Sequence, residues 1–141
     1  MNKRTFNFIL GVIIAIMAVA LLVEKASAET QPDEQYYDAR CKAAANAFDY
    51  PSITVFCLSA AENHGTDADS EVGNEKAADL VLEAGYLVFV GMAHKNIGDA
   101  DPAPLYHEAT DLLHQAKHIT TDPTLLRMIN EWLRRYPSVL Q

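Results

Sequence analysis

The sequence predicts an all-α protein built from antiparallel pairs of helices. Glycine and proline are sparse, with 6 of each in 141 residues, and most of the prolines fall where helices are expected to begin or end. Runs of β-branched residues are almost absent. Only residues 53–56 and 86–90 could form strands, and each lies inside an alanine- and leucine-rich helical pattern. These observations favour helices throughout the chain that follows the N-terminal segment.

The N-terminal segment has the features of an export signal. Two basic residues at positions 3–4 precede an apolar run over residues 8–23, and small residues follow at 26–28. This order is typical of a secretory signal peptide and predicts cleavage after Ala28. The run also approaches the roughly 20 residues of a membrane-spanning helix, so an uncleaved inner-membrane anchor is the alternative. In both cases residues 29–141 form the folded domain, periplasmic or secreted in the first case.

The predicted domain is strongly acidic. Without the signal segment, 8 basic and 18 acidic residues remain, which gives a net charge of −10. Nucleic acids and anionic lipid surfaces bind clustered cations. The charge therefore argues against both as partners, and membrane contact is expected only through an uncleaved N-terminal segment. Residues 29–141 have the length of one small domain.

The first two predicted helices are separated by a short turn. The first covers residues 33–47 and the second covers residues 51–64. Pro51 suits the start of the second helix, because the N–H that proline lacks would have no helical partner at that position. The polar stretch over residues 64–73 then predicts a loop.

The third and fourth helices follow from their capping residues. Asn74 is expected to cap a long third helix over residues 74–97, which Gly98 then ends. Two prolines lead into the fourth helix, over residues 104–119.

The fifth helix is expected to begin at Pro123, with Thr121 or Asp122 as its cap. Pro137 is expected to end this helix, since a proline cannot donate the next backbone hydrogen bond. Its apolar residues, Trp132 among them, predict that one face packs against the rest of the domain.

The two cysteines, Cys41 and Cys57, are predicted to form a disulfide. An even and small number of cysteines in an exported domain favours a disulfide. Closing a loop of about 15 residues stabilises a fold by roughly 3 kcal/mol in the chain-entropy model. Two buried free thiols are the alternative.

The second helix pair resembles a tetratricopeptide repeat. Residues 90–99 (Val-Gly-Met-Ala-His-Lys-Asn-Ile-Gly-Asp) match the first-helix signature, and the second helix matches at Tyr106, Ala109, Ala116 and Asp122-Pro123. The first pair matches more loosely, at Tyr37, Cys41, Ala44 and Ala60. The resemblance covers residues 35–123 and implies a short α-solenoid, with two helix pairs and a C-terminal capping helix. Small residues such as Gly91 would let paired helices approach closely.

The resemblance also implies a binding face, since ligands of this family lie on the concave side lined by the first helix of each pair. Carried over by position, the partner-binding residues would be Lys42, Asn46, Val88, Met92, Lys95 and Asn96. Lysine and asparagine could hold the carboxylate or backbone of a peptide. The alternative is ordinary surface, because a full array usually needs three or more repeats.

Two polar patterns could bind a metal ion. The fourth helix carries a stripe at i, i+4, i+7 and i+11, formed by His107, Asp111, His114 and His118. Imidazole and carboxylate at this spacing can share zinc, copper or nickel, but a solvated helix face is the favoured interpretation. The acidic residues at 67, 69 and 71 begin like a calcium loop, but the terminal glutamate is missing, so a solvated linker is predicted.

The function predicted from the sequence is binding rather than catalysis, with no cofactor. No pattern joins a nucleophile, a base and an orienting group. The first hypothesis is an exported adaptor that binds another protein or peptide. The alternatives are an inhibitor or immunity-type protein against an exported toxin or hydrolase, for which the acidic charge suits a basic target, and a metal-binding protein that uses the histidine stripe. A short array could also complete its core as a homo-oligomer.

Overall fold

The computed structural model describes the backbone of residues 32–140 and the side chains of residues 35–135. The predicted signal peptide, residues 1–28, lies outside the described residues. The described chain forms five helices and no strand: α1 Pro32–Asn46, α2 Tyr50–Ser70, α3 Gly73–Ile97, α4 Ala103–Ile119 and α5 Pro123–Leu140. The all-α prediction is therefore confirmed.

Helix α3 lies at the centre of the domain. It packs against α2 on one side and α4 on the other, while α1 packs on α2 and α5 packs on α4. Every residue from 77 to 93 is buried except Glu83. Among the described helices, α3 has the length and apolar composition of a membrane span, but 89% of its apolar window is buried inside the protein. This burial is the one expected of a central core helix.

Helix α2 is longer than predicted, since it continues to Ser70 and leaves only Glu71 and Val72 before α3. The prediction of a loop over residues 64–73 is therefore wrong for most of that stretch. The physical reason is that the buried face of α2 continues through His64 and Ala68, one turn apart. Packing of this face against the core outweighs the polar composition around it. Because residues up to Ser70 are helical, the comparison of this stretch with a calcium-binding loop is also wrong.

The cap predicted at Asn74 is also wrong. Helix α3 begins at Gly73, and the Asn74 side chain bonds instead to the turn before α5. Its Oδ1 accepts hydrogen bonds from the Thr121 backbone N–H at 2.8 Å and from the Thr120 hydroxyl at 3.0 Å. At the other end, Gly98 ends α3 as predicted, in a left-handed conformation with φ of 78°.

The last helix begins as predicted and ends later. Asp122 caps α5, because its Oδ1 accepts from the backbone N–H groups of Thr124 at 2.8 Å and Leu125 at 3.3 Å. The helix then continues through Pro137 to Leu140, so the predicted end at Pro137 is wrong. A proline removes one backbone hydrogen bond, and here the helix continues past it.

The predicted disulfide is confirmed. Cys41 of α1 and Cys57 of α2 are joined, and both are fully buried. Their Cα atoms lie 4.7 Å apart, inside the usual range for disulfides. The bond therefore fastens α1 to α2 near the middle of each helix.

Gly91 gives α3 and α4 room to approach, as expected from its small size. A Cβ atom at this position would lie 2.6 Å from Cε1 of Tyr106. Tyr106 is buried, and burial raises the pKa of its hydroxyl to about 12. Its ring occupies the space that any larger residue at position 91 would need.

Candidate functional site

A fully buried histidine, His64, lies between two carboxylates at the meeting point of three helices. Its Nδ1 is 2.6 Å from Oδ1 of Asp79 on α3. Its Nε2 is 3.0 and 3.1 Å from the two carboxylate oxygens of Asp38 on α1. The ring stacks on Tyr86, with 5.6 Å between ring centroids. His64 therefore joins α1, α2 and α3 through polar contacts inside the core.

These contacts place a shared hydrogen on each side of the ring. One lies between Nδ1 and Asp79 and the other between Nε2 and Asp38, because two lone pairs at these distances need a hydrogen between them. Buried charge is tolerated when it is paired and hydrogen-bonded, and these contacts satisfy both ring nitrogens.

A third carboxylate completes the site, which we call the His64 cluster: Asp38, His64, Asp67 and Asp79. Asp67 follows His64 by one turn of α2 and is half-buried. Potential metal-ligand atoms of His64, Asp67 and Asp79 all lie within 4.8 Å of one another. Among the described residues this is the only such group of three or more. A nitrogen and two carboxylate oxygens at this separation form a plausible donor set for a divalent cation.

Further acidic residues surround the cluster. Glu83 lies one turn after Asp79 on α3, and its pKa is raised from 4.5 to about 7. Burial is the largest cause, and the negative charges of Glu108 and Asp69 raise it further. The positive charge of His64 lowers this pKa and the Asp79 carboxylate raises it again. Negative charge is therefore in excess around Glu83, one turn of α3 from the Asp79 of the cluster.

A glycine makes room for the Glu83 carboxylate. A Cβ atom at Gly65 would lie 2.8 Å from Oε1 of Glu83. Gly65 lies in α2, next to His64, so the carboxylate reaches across α2 at the level of the cluster. Gly65 therefore leaves room for the Glu83 carboxylate to lie close to the other acidic groups.

The histidine stripe of α4 is not assembled into a metal site. His107, Asp111, His114 and His118 are all exposed. None of them belongs to the one close group of potential ligands found in the described part of the chain. The solvated helix face favoured from the sequence agrees with this placement.

The partner-binding residues predicted from the resemblance are divided. Lys42 is half-buried, and Asn46, Lys95 and Asn96 are exposed. Val88 and Met92 are fully buried, so their predicted place on a binding face is wrong. The reason is that α2 and α4 cover α3 on both sides, which leaves none of its central residues on a surface. The Asn96 amide donates to the Met92 carbonyl at 2.8 Å.

A different surface carries exposed aromatic and apolar side chains. Tyr36 of α1 is 49% exposed, and its ring meets Phe56 of α2 edge-on, with 6.5 Å between centroids. The Arg40 guanidinium lies over both rings, 5.2 Å from the Tyr36 centroid and 6.0 Å from the Phe56 centroid. Val55 and Leu58 are exposed on α2, by 59% and 38%. We call Tyr36, Arg40 and Phe56, together with Val55 next to Phe56 in the chain, the α1–α2 surface.

Sequence reasoning missed both sites, although each left a signal. Asp79 and Glu83 are the only charged residues between positions 77 and 93 of an otherwise apolar helix. Ionisable residues at such places are rarely buried without partners. On α1, the spacing of Tyr36 and Arg40 places them on one helix face. The positions of Asp38 and His64 carried no comparable signal.

A scan against protein-family models finds no match to this chain, and comparisons with the curated proteins and with the solved structures find no significant match. The tetratricopeptide resemblance therefore stays a prediction.

Proposed function

We propose that this chain is an exported binding protein whose protein partner docks on the α1–α2 surface. The observation that supports the proposal is the group formed by the exposed Tyr36 and Arg40 with the half-buried Phe56, next to which Val55 is exposed in the chain. Tyrosine, phenylalanine and arginine are enriched in the cores of protein interfaces, and tyrosine and arginine dominate binding hot spots.

The surface is held in place before any partner binds. The Cys41–Cys57 disulfide joins the two helices that carry it, and Asp38 of α1 bonds to His64 of α2 behind it. Preorganised surfaces lose less conformational entropy on binding, which improves affinity for the same contact area. The arrangement suits a docking surface better than a mobile loop would.

The proposal includes tetratricopeptide-like pairing of the helices. In support, helices that follow each other in the chain pack on each other, and Gly91 lets α4 approach α3 closely. A regular rotation between the α1–α2 pair and the α3–α4 pair, measured in a crystal structure, would support a short solenoid. A closed bundle with no such rotation would contradict it.

Site-specific cross-linking in the exporting host tests the docking surface. A photoreactive residue at Val55 should capture one partner, and the same residue at Gln115, exposed on α4, should not. Tyr36→Ala and Arg40→Glu should each reduce the captured amount at least tenfold, as expected for hot-spot residues. Equal capture from both positions, or capture unchanged by both substitutions, would rule the surface out.

The acidic charge favours a second candidate, an inhibitor or immunity-type protein against a basic exported toxin or hydrolase. The whole chain has a formal net charge of −8. Opposite charges accelerate association, and salt screens this effect. Association with a basic target should therefore slow by tenfold or more as ionic strength increases from 0.02 to 0.5 M. An association rate independent of salt would favour the adaptor instead.

A further inference from the structure

We propose that the His64 cluster binds one divalent transition-metal ion, with zinc as the first candidate. The ligands would be Nδ1 of His64 and one carboxylate oxygen each from Asp67 and Asp79. This site is separate from the proposed docking surface and from the α4 histidine stripe that the sequence suggested.

The distances suit a metal with small movements of the side chains. Zinc binds nitrogen and carboxylate oxygen at about 2.0–2.2 Å, so two atoms bound to one ion lie about 3–4 Å apart. The three potential ligand atoms are within 4.8 Å of one another. The pair at His64 Nδ1 and Asp79 Oδ1 is closer, at 2.6 Å, and would open by about 0.4–1.4 Å.

Asp38 orients the histidine as carboxylates do in metal sites. A metal-binding histidine usually donates its other ring N–H to a carboxylate, which fixes the tautomer and the direction of the ring. Here Asp38 accepts from Nε2 with both oxygens, at 3.0 and 3.1 Å. The remaining nitrogen, Nδ1, then faces Asp79 on α3, where the proposed ion would lie.

The ion would replace a proton. In the metal-free protein a proton lies between Nδ1 and Asp79, because both atoms carry lone pairs and are 2.6 Å apart. Metal binding needs that lone pair on Nδ1, so the proton must leave when the metal enters. Uptake at neutral pH should therefore release about one proton per ion, with weaker binding at lower pH.

The charges facing the cluster favour a cation. Helix α1 contributes Asp38, α2 contributes Asp67 and Asp69, α3 contributes Asp79 and Glu83, and α4 contributes Glu108. Asp69 and Glu108 are exposed, and Asp67 and Glu83 are half-buried.

Calorimetric titration of the metal-free protein, residues 29–141, with zinc tests the proposal. We expect one ion per chain and, from measurements in two buffers of different ionisation enthalpy, release of about one proton. Asp67→Asn should weaken binding at least tenfold, and Asp38→Asn should weaken it about 10- to 100-fold, as loss of an orienting carboxylate does. Asp67 is half-buried, so its variant should fold normally, which circular dichroism would verify.

The matched control is a His114→Ala/His118→Ala variant, which alters exposed histidines on α4 and should bind zinc as the wild type does. Equal zinc affinity in the wild type and Asp67→Asn would overturn the proposal. So would a loss of binding that follows the α4 variant, or no uptake of zinc at millimolar concentration. Capture of a protein partner at Val55 is unaffected by any of these outcomes, so the two proposals fail independently.

Discussion

The pKa of Glu83 shows how the surroundings of a side chain change its ionisation. Its carboxylate is partly withdrawn from water and faces other acidic groups, and both effects disfavour its charged form. The glycine at position 65 is what lets this carboxylate lie so close to α2. The position of the Glu83 carboxylate on α3 therefore depends on the small size of Gly65 on α2.

The stability of the protein should depend on the ionisation of Glu83. Its pKa is about 7 in the folded chain against an ordinary value of 4.5 for glutamate, so between these pH values the folded chain binds more protons than the unfolded chain. The free energy of unfolding should therefore fall as pH rises through this window. This contribution is complete below pH 4.5 and lost above about pH 7. Glu83→Gln should be more stable than the wild type at pH 8, by about 1–2 kcal/mol after allowance for solvent screening.

Urea unfolding at pH 5 and pH 8, in the presence of a chelator, measures this difference. Glu62→Gln is the matched control, because Glu62 is an exposed glutamate of α2. If Glu83→Gln and the wild type lose the same stability between the two pH values, the interpretation of Glu83 is wrong.

Two glycines should respond differently to alanine. At Gly91 the new Cβ would meet the enclosed Tyr106 ring at 2.6 Å, and a buried ring cannot move freely. We expect Gly91→Ala to destabilise the fold by about 1–3 kcal/mol. At Gly65 the Cβ would meet the end of the flexible Glu83 side chain, and alanine favours the helix by about 0.5–1 kcal/mol, so little net change is expected. Thermal unfolding of both variants compares them, and equal losses would contradict this explanation.

Among the elements, α1 is attached most heavily by specific bonds. It packs on α2 and is fastened there by the disulfide and by Asp38, which bonds to His64. Helix α3, by contrast, is held by apolar burial along most of its length. The same domain therefore uses covalent and polar attachment at its edge and hydrophobic packing at its centre.

Removal of the disulfide should destabilise the fold without preventing it. Cys41 and Cys57 are 16 residues apart, and a loop of that size contributes about 3 kcal/mol in the chain-entropy model. Denaturant unfolding of a Cys41→Ala/Cys57→Ala variant measures the loss. A reducing agent should lower the stability of the wild type and leave the variant unchanged. A variant as stable as the oxidised wild type would show that apolar packing alone holds α1.

For the whole molecule, the central question is the compartment. A buried disulfide and an N-terminal segment with signal-like composition are compatible with export. The acidic charge and the preorganised α1–α2 surface suit a binding protein in that compartment.

Expression in a bacterial host tests the predicted processing. If the signal peptide is cleaved, the mature protein begins at Glu29, and N-terminal sequencing of the soluble envelope fraction will find that residue. A protein that keeps residues 1–28 and sediments with membranes would establish the anchor instead. Recovery of the intact chain from the cytoplasm would contradict both forms of export.

The sequence alone determined some local features of this fold, although not the end of α2, the start of α3 or the end of α5. Helix class, the start of α5 at Asp122, the end of α3 at Gly98 and the pairing of Cys41 with Cys57 follow from interactions within a few residues or from the number of cysteines. These features depend on backbone chemistry that neighbouring residues control. They were therefore predictable without knowledge of the packing.

Only the tertiary structure decided which polar groups meet. Asp38 and His64 are 26 positions apart, and His64 and Asp79 are 15 positions apart, so no local pattern connects them. Val88 and Met92, which the resemblance implies on a binding face, are buried because α2 and α4 cover α3. Helical periodicity tells which residues share a face, but not which other helix covers that face. The burial of a side chain, the charges it pairs with and its pKa all depend on which helix covers its face. The candidate metal site depends on all three.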